Sequence, residues 1–175
     1  MTKIICFHGC GQNPQKFKSL LKSLVKEYKD NEKWIFPKGP YYKKDGGWGW
    51  YNRDYDREES EDNPIQDLDE YKNIGKCILL GFSEGAEFAL ELSQYLQDIQ
   101  GVVAISPSYS NTIKNIEITC PVIMITSIND DKIFKKYTKK WRKLINSENL
   151  TDIIHFKGHK VYLPKQTRDV IHRLF

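Results

Sequence analysis

One serine in this sequence stands between two glycines, in Gly81-Phe82-Ser83-Glu84-Gly85, after an apolar run that begins at Cys77 and before an amphipathic segment. Where a buried strand turns sharply into a helix, a serine at the turn is lifted clear of the sheet. Glycines on either side prevent a β-carbon from colliding with neighbouring backbone. The pattern predicts that Ser83 is a nucleophile. The alternative is a glycine-rich turn in which the serine takes no part in chemistry.

A serine hydroxyl is a weak nucleophile near neutral pH, so it needs a general base, and the base needs a carboxylate to orient it. Of the four histidines, His159 follows the last predicted strand on a loop that begins with Gly158. This position makes His159 the predicted base, with an inert surface histidine as the alternative. We expect His8 to be structural, His155 to lie in the core and His172 to face outward.

The carboxylate should follow a strand that lies between the serine and the histidine in the chain, which gives the order Ser, Asp, His. The strand that ends near Thr126 is followed by two aspartates, Asp130 and Asp131. Asp130 is the predicted partner of His159, and Asp131 is the predicted N-cap of the next helix. The reverse assignment of the two aspartates remains open.

The turn after the first strand, His8-Gly9-Cys10-Gly11-Gln12, is glycine-rich and can approach the serine closely. We predict an oxyanion hole formed by two backbone N–H groups, those of Cys10 and Glu84. The same turn is not a dinucleotide-binding loop, because Pro14 occupies the third glycine position. Nor do the alternating residues Cys6, His8 and Cys10 have a second cluster to complete a zinc site. We therefore expect neither a cofactor nor a metal ion.

The segment 39–63 is long, irregular and rich in aromatic and glycine residues. Loops of this length in a compact domain are usually functional or disordered, and aromatic rings in them commonly line a pocket. Trp48, Trp50 and Tyr51 are therefore predicted to contact the substrate. The alternative is a surface loop held in place by its own rings.

Strands and helices alternate along the whole chain. The strands are short apolar runs, as expected when helices cover both faces of a sheet. Strands are predicted at 3–7, 33–36, from 77 up to the Ser83 motif, and at 101–105, 121–126 and 151–156. Helices are predicted at about 14–28, 84–96, 131–146 and from 164, with a short one after Pro64. The prediction is an α/β fold in one domain, 1–175, a three-layer αβα sandwich with a mainly parallel sheet of about six strands. Ligands bind such sheets beyond the carboxyl ends of the strands.

Composition excludes several classes of protein. With 39% hydrophobic and 29% charged residues, the chain is globular and not disordered. No apolar run approaches the ~20 residues of a membrane span, and the N-terminal stretch does not resemble a signal peptide. The cysteines lack the spacing of a disulfide framework, so we expect reduced thiols and a cytoplasmic protein. We also expect a monomer or weak homodimer. The cysteines are Cys6, Cys10, Cys77 and Cys120.

The net charge of +4 is distributed unevenly, with an acidic stretch at 54–62 and a basic stretch at 132–143. The lysines of the basic stretch alternate with a helical apolar stripe, which is typical of a solvated helix face. No nucleic-acid-binding motif accompanies them, so we expect no nucleic-acid partner.

Several segments together resemble the α/β-hydrolases, and within them the small FSH-type serine hydrolases. They are Ile4-Ile5-Cys6-Phe7-His8-Gly9 with Gln12-Asn13 and Phe17, Phe36-Pro37-Lys38-Gly39-Pro40, Trp48-Gly49-Trp50-Tyr51, the Ser83 motif and Gly158-His159. The phospholipase/carboxylesterase family, in its acyl-protein thioesterase branch, is the second match. The chain departs from larger members because it starts directly at the strand before His8 and has no insertion long enough for a lid.

The resemblance implies an esterase or thioesterase that acts through Ser83, Asp130 and His159 on a small-molecule acyl ester or thioester. Two alternatives come from the residues themselves. The fold could serve as a binding module with an idle serine and an aromatic contact loop. The same nucleophile could also cleave amides or transfer acyl groups to an acceptor other than water.

Overall fold

The computed structural model describes residues 2–28, 33–44, 46–52, 69–109 and 116–174. The strands in these residues are β1 (Lys3–Phe7), β2 (Lys33–Ile35), β3 (Tyr41–Tyr42), β4 (Trp48–Gly49), β5 (Cys77–Phe82), β6 (Ile99–Ile105), β7 (Val122–Ser127) and β8 (Leu150–His155). The α-helices are α1 (Pro14–Leu20), α2 (Lys22–Glu27), α3 (Asp69–Lys72), α4 (Glu84–Leu92), α5 (Lys132–Leu144) and α6 (Lys165–Ile171). None of the helices in the described part combines the length and hydropathy needed to cross a bilayer.

The main sheet is parallel throughout and has the strand order β2-β1-β5-β6-β7-β8, which confirms the predicted sheet of six strands. Strands β1 and β5 are neighbours, with Phe7 opposite Gly81. Strands β7 and β8 are also neighbours, with Ser127 opposite His155. Because parallel strands end at the same edge of a sheet, the loops that follow these four strands emerge together.

Successive side chains of a strand point to opposite sides of the sheet, and helices pack against both sides. On one face, Leu79 belongs to a buried cluster that includes Trp141 of α5 and residues of α4. On the other face, Leu80 belongs to a cluster that includes Phe17 of α1 and Ile171 of α6. The resulting three layers confirm the predicted αβα sandwich.

The first helical segment differs from its prediction as one helix over 14–28. Asn13 caps its start, but Leu21 (φ −93°, ψ 8°) separates α1 from α2. Hydrogen bonds from the Leu21 amide to Phe17 and from the Val25 amide to Leu21, 3.1 and 2.9 Å long, continue across the break. The two helices therefore cover the same face of the sheet as a single helix would.

The segment 39–63, predicted to be irregular, begins with an antiparallel ribbon in which β3 pairs with β4 and Tyr41 lies opposite Gly49. Each strand has only two residues, too few to show the alternation that identifies a strand in a sequence. The rest of the segment, 53–63, lies outside the described residues. So does the start of the helix predicted after Pro64, whose described part is α3.

Candidate active site

The backbone at the end of β5 turns sharply into α4 at Ser83, which has φ 54° and ψ −118°. A side chain at Gly81 would place its β-carbon 2.2 Å from the carbonyl oxygen of Gly85. A β-carbon at Gly85 would lie 2.2 Å from the carbonyl oxygen of Phe7. Close backbone contacts thus leave no space for a side chain at either glycine of the motif. The strained backbone at Ser83 forms the sharp strand-to-helix turn that the sequence predicts.

Neighbouring backbone holds the strained serine from the β6 side. The Ser83 amide donates to the carbonyl oxygen of Ile105 at 2.9 Å, and the Ser83 carbonyl oxygen accepts from the Ser108 amide at 3.1 Å. Ser108 is anchored in turn, because its hydroxyl contacts the buried carboxylate of Glu87 and its carbonyl oxygen accepts from the indole of Trp141. The serine conformation is therefore held by β6 and by the loop that follows β6, as well as by its own helix.

The imidazole of His159 lies between a hydroxyl and a carboxylate. Its Nε2 is 3.1 Å from Oγ of Ser83, and its Nδ1 is 3.1 and 3.2 Å from the two carboxylate oxygens of Asp130. The Asp130 side chain is 4% exposed, whereas that of His159 is 24% exposed. A neutral imidazole with its proton on Nδ1 would donate to Asp130 and accept from the serine hydroxyl.

Asp131, the alternative carboxylate, occupies another position. It is the exposed N-cap residue of α5, as predicted, although its side chain accepts no capping hydrogen bond. Its backbone amide instead donates to a carboxylate oxygen of Asp130 at 2.9 Å. Asp131 thus helps to orient the neighbouring carboxylate, while Asp130 is the aspartate beside His159.

Ser127, at the end of β7, joins the loop that carries Asp130 to the loop that carries His159. Its hydroxyl oxygen accepts from the amides of Asn129 and Gly158, at 3.1 and 2.9 Å. The aromatic ring of Phe134 stacks on the imidazole of His159 with 3.7 Å between the ring centroids. Neither Ser127 nor Phe134 stands out in the sequence, because the first is an ordinary strand end and the second fits the apolar stripe of α5.

The turn that contains Cys10 runs beside the start of α4, because β1 and β5 are neighbours. It is closed by two hydrogen bonds between Gly9 and Gln12: the Gly9 amide donates to the Gln12 side chain at 3.2 Å, and the Gln12 amide donates to the Gly9 carbonyl at 3.1 Å. Cys10 is half-buried, and Glu84 is the first residue of α4. Their amides stay the predicted oxyanion donors.

Two of the three aromatic residues predicted to contact substrate lie in the core, which corrects that prediction. Trp50 and Tyr51 are 4% and 2% exposed. The Trp50 ring packs against Phe7 and Phe88, with centroid distances of 5.1 and 4.8 Å, and its indole nitrogen donates to the carbonyl oxygen of His8 at 2.7 Å. Only Trp48 is partly exposed, and its contact with substrate stays a prediction.

The other histidines have the expected surroundings. His8 is fully buried; its Nε2 accepts from the Gly39 amide at 3.1 Å, and its Nδ1 lies 2.9 Å from the carbonyl oxygen of Gly9. Burial lowers the pKa of His8 and also that of His155, which is 5% exposed. His172 is exposed. Within the described residues, no group of three His, Cys, Asp or Glu side chains could hold a metal ion.

A cavity of about 260 Å³ borders the site on one side, between α5 and β8. Asp130, Phe134 and Ile154 are among its lining residues, but Ser83 and His159 are not. A substrate carbonyl at the serine would therefore lie outside this cavity.

Comparison with known proteins places these observations in a family. The sequence model described as "Serine hydrolase (FSH1)" matches residues 1–171. No curated protein gives a significant match.

Many solved structures share the fold at low sequence identity. A Bacillus cereus carboxylesterase matches with a TM-score of 0.73 and 17% identity, covering 99% of this chain and 89% of that one. A carboxylesterase from Mesorhizobium loti matches with a TM-score of 0.70 and 15% identity, over 98% and 86% of the two chains. Zea mays acyl-protein thioesterase 2 matches with a TM-score of 0.68 and 19% identity, over 99% and 94%. At these identities the likeness establishes the fold.

Proposed function

Because the chain belongs to the FSH1 serine hydrolase family, we propose that it hydrolyses small-molecule carboxylic esters or thioesters through an acyl-enzyme formed on Ser83. The observation that carries this proposal is the bridging position of His159, 3.1 Å from the Ser83 hydroxyl and 3.1 Å from the Asp130 carboxylate. These are hydrogen-bond distances, so a proton can pass from the hydroxyl to the imidazole without rearrangement.

In the first half of the reaction, Ser83 attacks the carbonyl carbon of the substrate while Nε2 of His159 accepts the hydroxyl proton. Asp130 stabilises the imidazolium that forms. The amides of Cys10 and Glu84 donate to the oxyanion of the tetrahedral intermediate. His159 then protonates the leaving alcohol or thiol, and the acyl group remains on Ser83.

In the second half, a water molecule takes the place of the leaving group. His159 removes a proton from this water, which attacks the acyl carbonyl, and a second tetrahedral intermediate uses the same oxyanion donors. Collapse returns the proton from His159 to Ser83 and releases the carboxylic acid. Ester and thioester substrates share this sequence of steps, and the names of the structural neighbours, carboxylesterase and acyl-protein thioesterase, support both.

The test is to compare the wild type with Ser83→Ala on p-nitrophenyl acetate and butyrate and on the matching thioesters. We expect the variant to lose at least about 10⁴-fold in kcat, since the remaining donors cannot replace the nucleophile. A matched control is Ser93→Ala, which removes a buried hydroxyl that donates to the carbonyl oxygen of Leu90 at the far end of α4. Turnover by Ser83→Ala equal to that of the wild type would refute the proposal.

A fluorophosphonate probe separates this proposal from the binding-module alternative, because only an activated serine is labelled. We expect stoichiometric labelling of the wild type and of Ser93→Ala, and none of Ser83→Ala. Labelled protein that fails to turn over esters and thioesters but cleaves amides, or that transfers its acyl group to an added amine, would instead favour the amidase or acyltransferase alternative.

A further inference from the structure

The residue that follows the proposed nucleophile has a fully buried carboxylate. The Glu84 side chain has no exposed surface, and a carboxylate removed from water needs hydrogen bonds and a nearby cation to remain charged at acceptable cost. Its Oε2 accepts from the backbone amide of Trp50 at 2.9 Å, and its Oε1 lies 4.0 Å from the ammonium group of Lys43. Lys43 also donates to the carbonyl oxygen of Tyr51 at 2.6 Å.

Lys43, Trp50 and Tyr51 all lie next to the strands of the β3–β4 ribbon. The ribbon approaches Glu84 so closely that a side chain at Gly49 has no space: its β-carbon would lie 2.7 Å from Oε2 of Glu84 and 2.2 Å from Cε of Lys43. The carboxylate therefore fastens the ribbon to the first turn of α4.

The ribbon is in turn fastened to the turn that contains Cys10, which we call the oxyanion loop (residues 8–12). The Gly11 amide donates to the carbonyl oxygen of Trp48 at 3.0 Å, and the Trp48 amide donates to the carbonyl oxygen of Gln12 at 2.8 Å. The indole of Trp50 donates to the carbonyl oxygen of His8 at 2.7 Å. These three hydrogen bonds hold the oxyanion loop to the ribbon and to the residue after it, two of them at residues that follow Cys10 and one at a residue that precedes it.

These contacts connect the turn at Ser83 to the ribbon through the Glu84 carboxylate, and they connect the ribbon to the oxyanion loop. We propose that Glu84 is a positioning residue that sets the spacing of the two oxyanion donors. Its backbone amide is one donor, and its side chain, acting through the ribbon, holds the amide of Cys10 opposite. This inference rests on the proposed function, because it assigns a task within the same site.

The charge of Glu84 also has to be compensated for catalysis to proceed. An oxyanion develops next to the residue that carries this carboxylate, and two negative charges in a poorly solvated site repel each other. Lys43, whose side chain is 14% exposed, lies beside the carboxylate and offsets its charge. The Glu84 carboxylate can therefore accept the hydrogen bond from the Trp50 amide, while Lys43 prevents a net negative charge beside the oxyanion.

The first test compares Glu84→Ala with Glu84→Gln on an ester that the wild type turns over. Alanine removes the anchor, so we expect kcat to fall about 10- to 100-fold with KM changed less than about 3-fold, since a displaced donor affects the transition state more than the bound ester. Glutamine keeps an oxygen that can accept from the Trp50 amide. We expect this conservative variant to retain kcat to within about 5-fold.

The second test uses a trifluoromethyl ketone, which forms a tetrahedral adduct with the serine and so reports on the oxyanion donors. The inhibition constant should rise in Glu84→Ala by the same factor by which kcat/KM falls. Hydrogen exchange should accelerate at the amides of Gly11 and Trp48 in Glu84→Ala but not in Glu84→Gln. The control is Leu92→Ala, a cavity at the other end of α4, which should lower the melting temperature without either change.

The third test removes the cation. Lys43→Met leaves the buried carboxylate without its nearest positive charge, so kcat should fall about 10-fold or more. The double variant Lys43→Met/Glu84→Gln, which removes both charges, should recover most of that loss. No recovery in the double variant would contradict the role given to the pair, whether or not Glu84→Ala folds.

Failure of this inference can be told apart from failure of the proposed function. If the wild type is not labelled by a fluorophosphonate and turns over no ester, the proposed function fails. If the wild type is active while Glu84→Ala or Lys43→Met keeps the wild-type kcat and inhibitor affinity, only the positioning role fails. It also fails if Leu92→Ala loses kcat and inhibitor affinity to the same extent at equal loss of stability.

Discussion

The hydroxyl oxygen of Ser127 accepts a hydrogen bond from the backbone amide of Gly158 at 2.9 Å. Ser127 ends β7 and Gly158 precedes His159. This contact therefore connects the loop that carries the proposed base, His159, to the strand that leads to Asp130. The same oxygen accepts from the Asn129 amide at 3.1 Å. Ser127 is therefore placed to hold the distance between the Asp130 carboxylate and the His159 ring.

Replacing Ser127 with alanine should leave two backbone amides without this acceptor. We expect the free energy of unfolding to fall by about 1–2 kcal/mol and kcat/KM to fall about 10-fold, because the imidazole is less well placed. Urea denaturation and steady-state ester hydrolysis measure the two effects. Ser93→Ala removes another buried hydroxyl and should change stability alone. Unchanged kcat/KM in Ser127→Ala would contradict the role given to this residue.

The two adjacent aspartates offer a matched pair of variants. Asp130→Asn keeps the size of the side chain but favours the wrong imidazole tautomer, so we expect kcat to fall about 10³- to 10⁴-fold. Asp131→Asn changes an exposed residue whose carboxylate makes no capping hydrogen bond, and kcat should stay within about 2-fold of the wild type. Steady-state kinetics at pH 8 check both. A larger loss in Asp131→Asn than in Asp130→Asn would reverse the assignment.

The buried ring of His8 should make stability depend on pH. Its Nε2 accepts from the Gly39 amide, so a proton there would place two donors face to face. Burial lowers the pKa of His8 below its ordinary value of 6.5. The unfolded chain therefore binds a proton before the folded chain does. The stabilisation is complete above pH 6.5 and is lost as the pH falls below it, by at most about 1.4 kcal/mol per pH unit for one proton.

Urea denaturation of the wild type and of His8→Gln between pH 8 and pH 5 measures this loss. Glutamine can accept from the Gly39 amide but does not titrate, so the free energy of unfolding should fall less steeply below pH 6.5 in the variant. The pKa of His155 is also lowered by burial, so part of the dependence should remain. Parallel curves for the two proteins would show that His8 does not contribute.

The sequence was sufficient wherever a structural feature depends on residues close together in the chain. Gly81 and Gly85 identified the turn at Ser83 because only residues without a β-carbon fit the backbone contacts there. Apolar runs alternating with amphipathic segments identified the sandwich and its six parallel strands. The order of strand ends also brought two aspartates and one histidine into consideration as partners of the serine.

Tertiary structure was needed wherever the answer depends on which way a side chain points or on contacts between distant segments. Asp130 and Asp131 are neighbours of the same type, and only the packing of β7 against β8 places one of them beside His159. Trp50 and Tyr51 are aromatic residues of the kind that often line a pocket, but both of their rings are buried in the core.

Glu84 combines a feature that the sequence predicts with one that only the tertiary structure shows. Its place after the serine made its amide a predicted oxyanion donor, because the backbone of a strand-to-helix turn is defined locally. Its carboxylate reaches Trp50, which is 34 positions away in the chain, and no local pattern reports such a contact. Local steric restrictions depend on adjacent residues and can be inferred from the sequence. The partners of a buried polar group depend on how the whole chain folds.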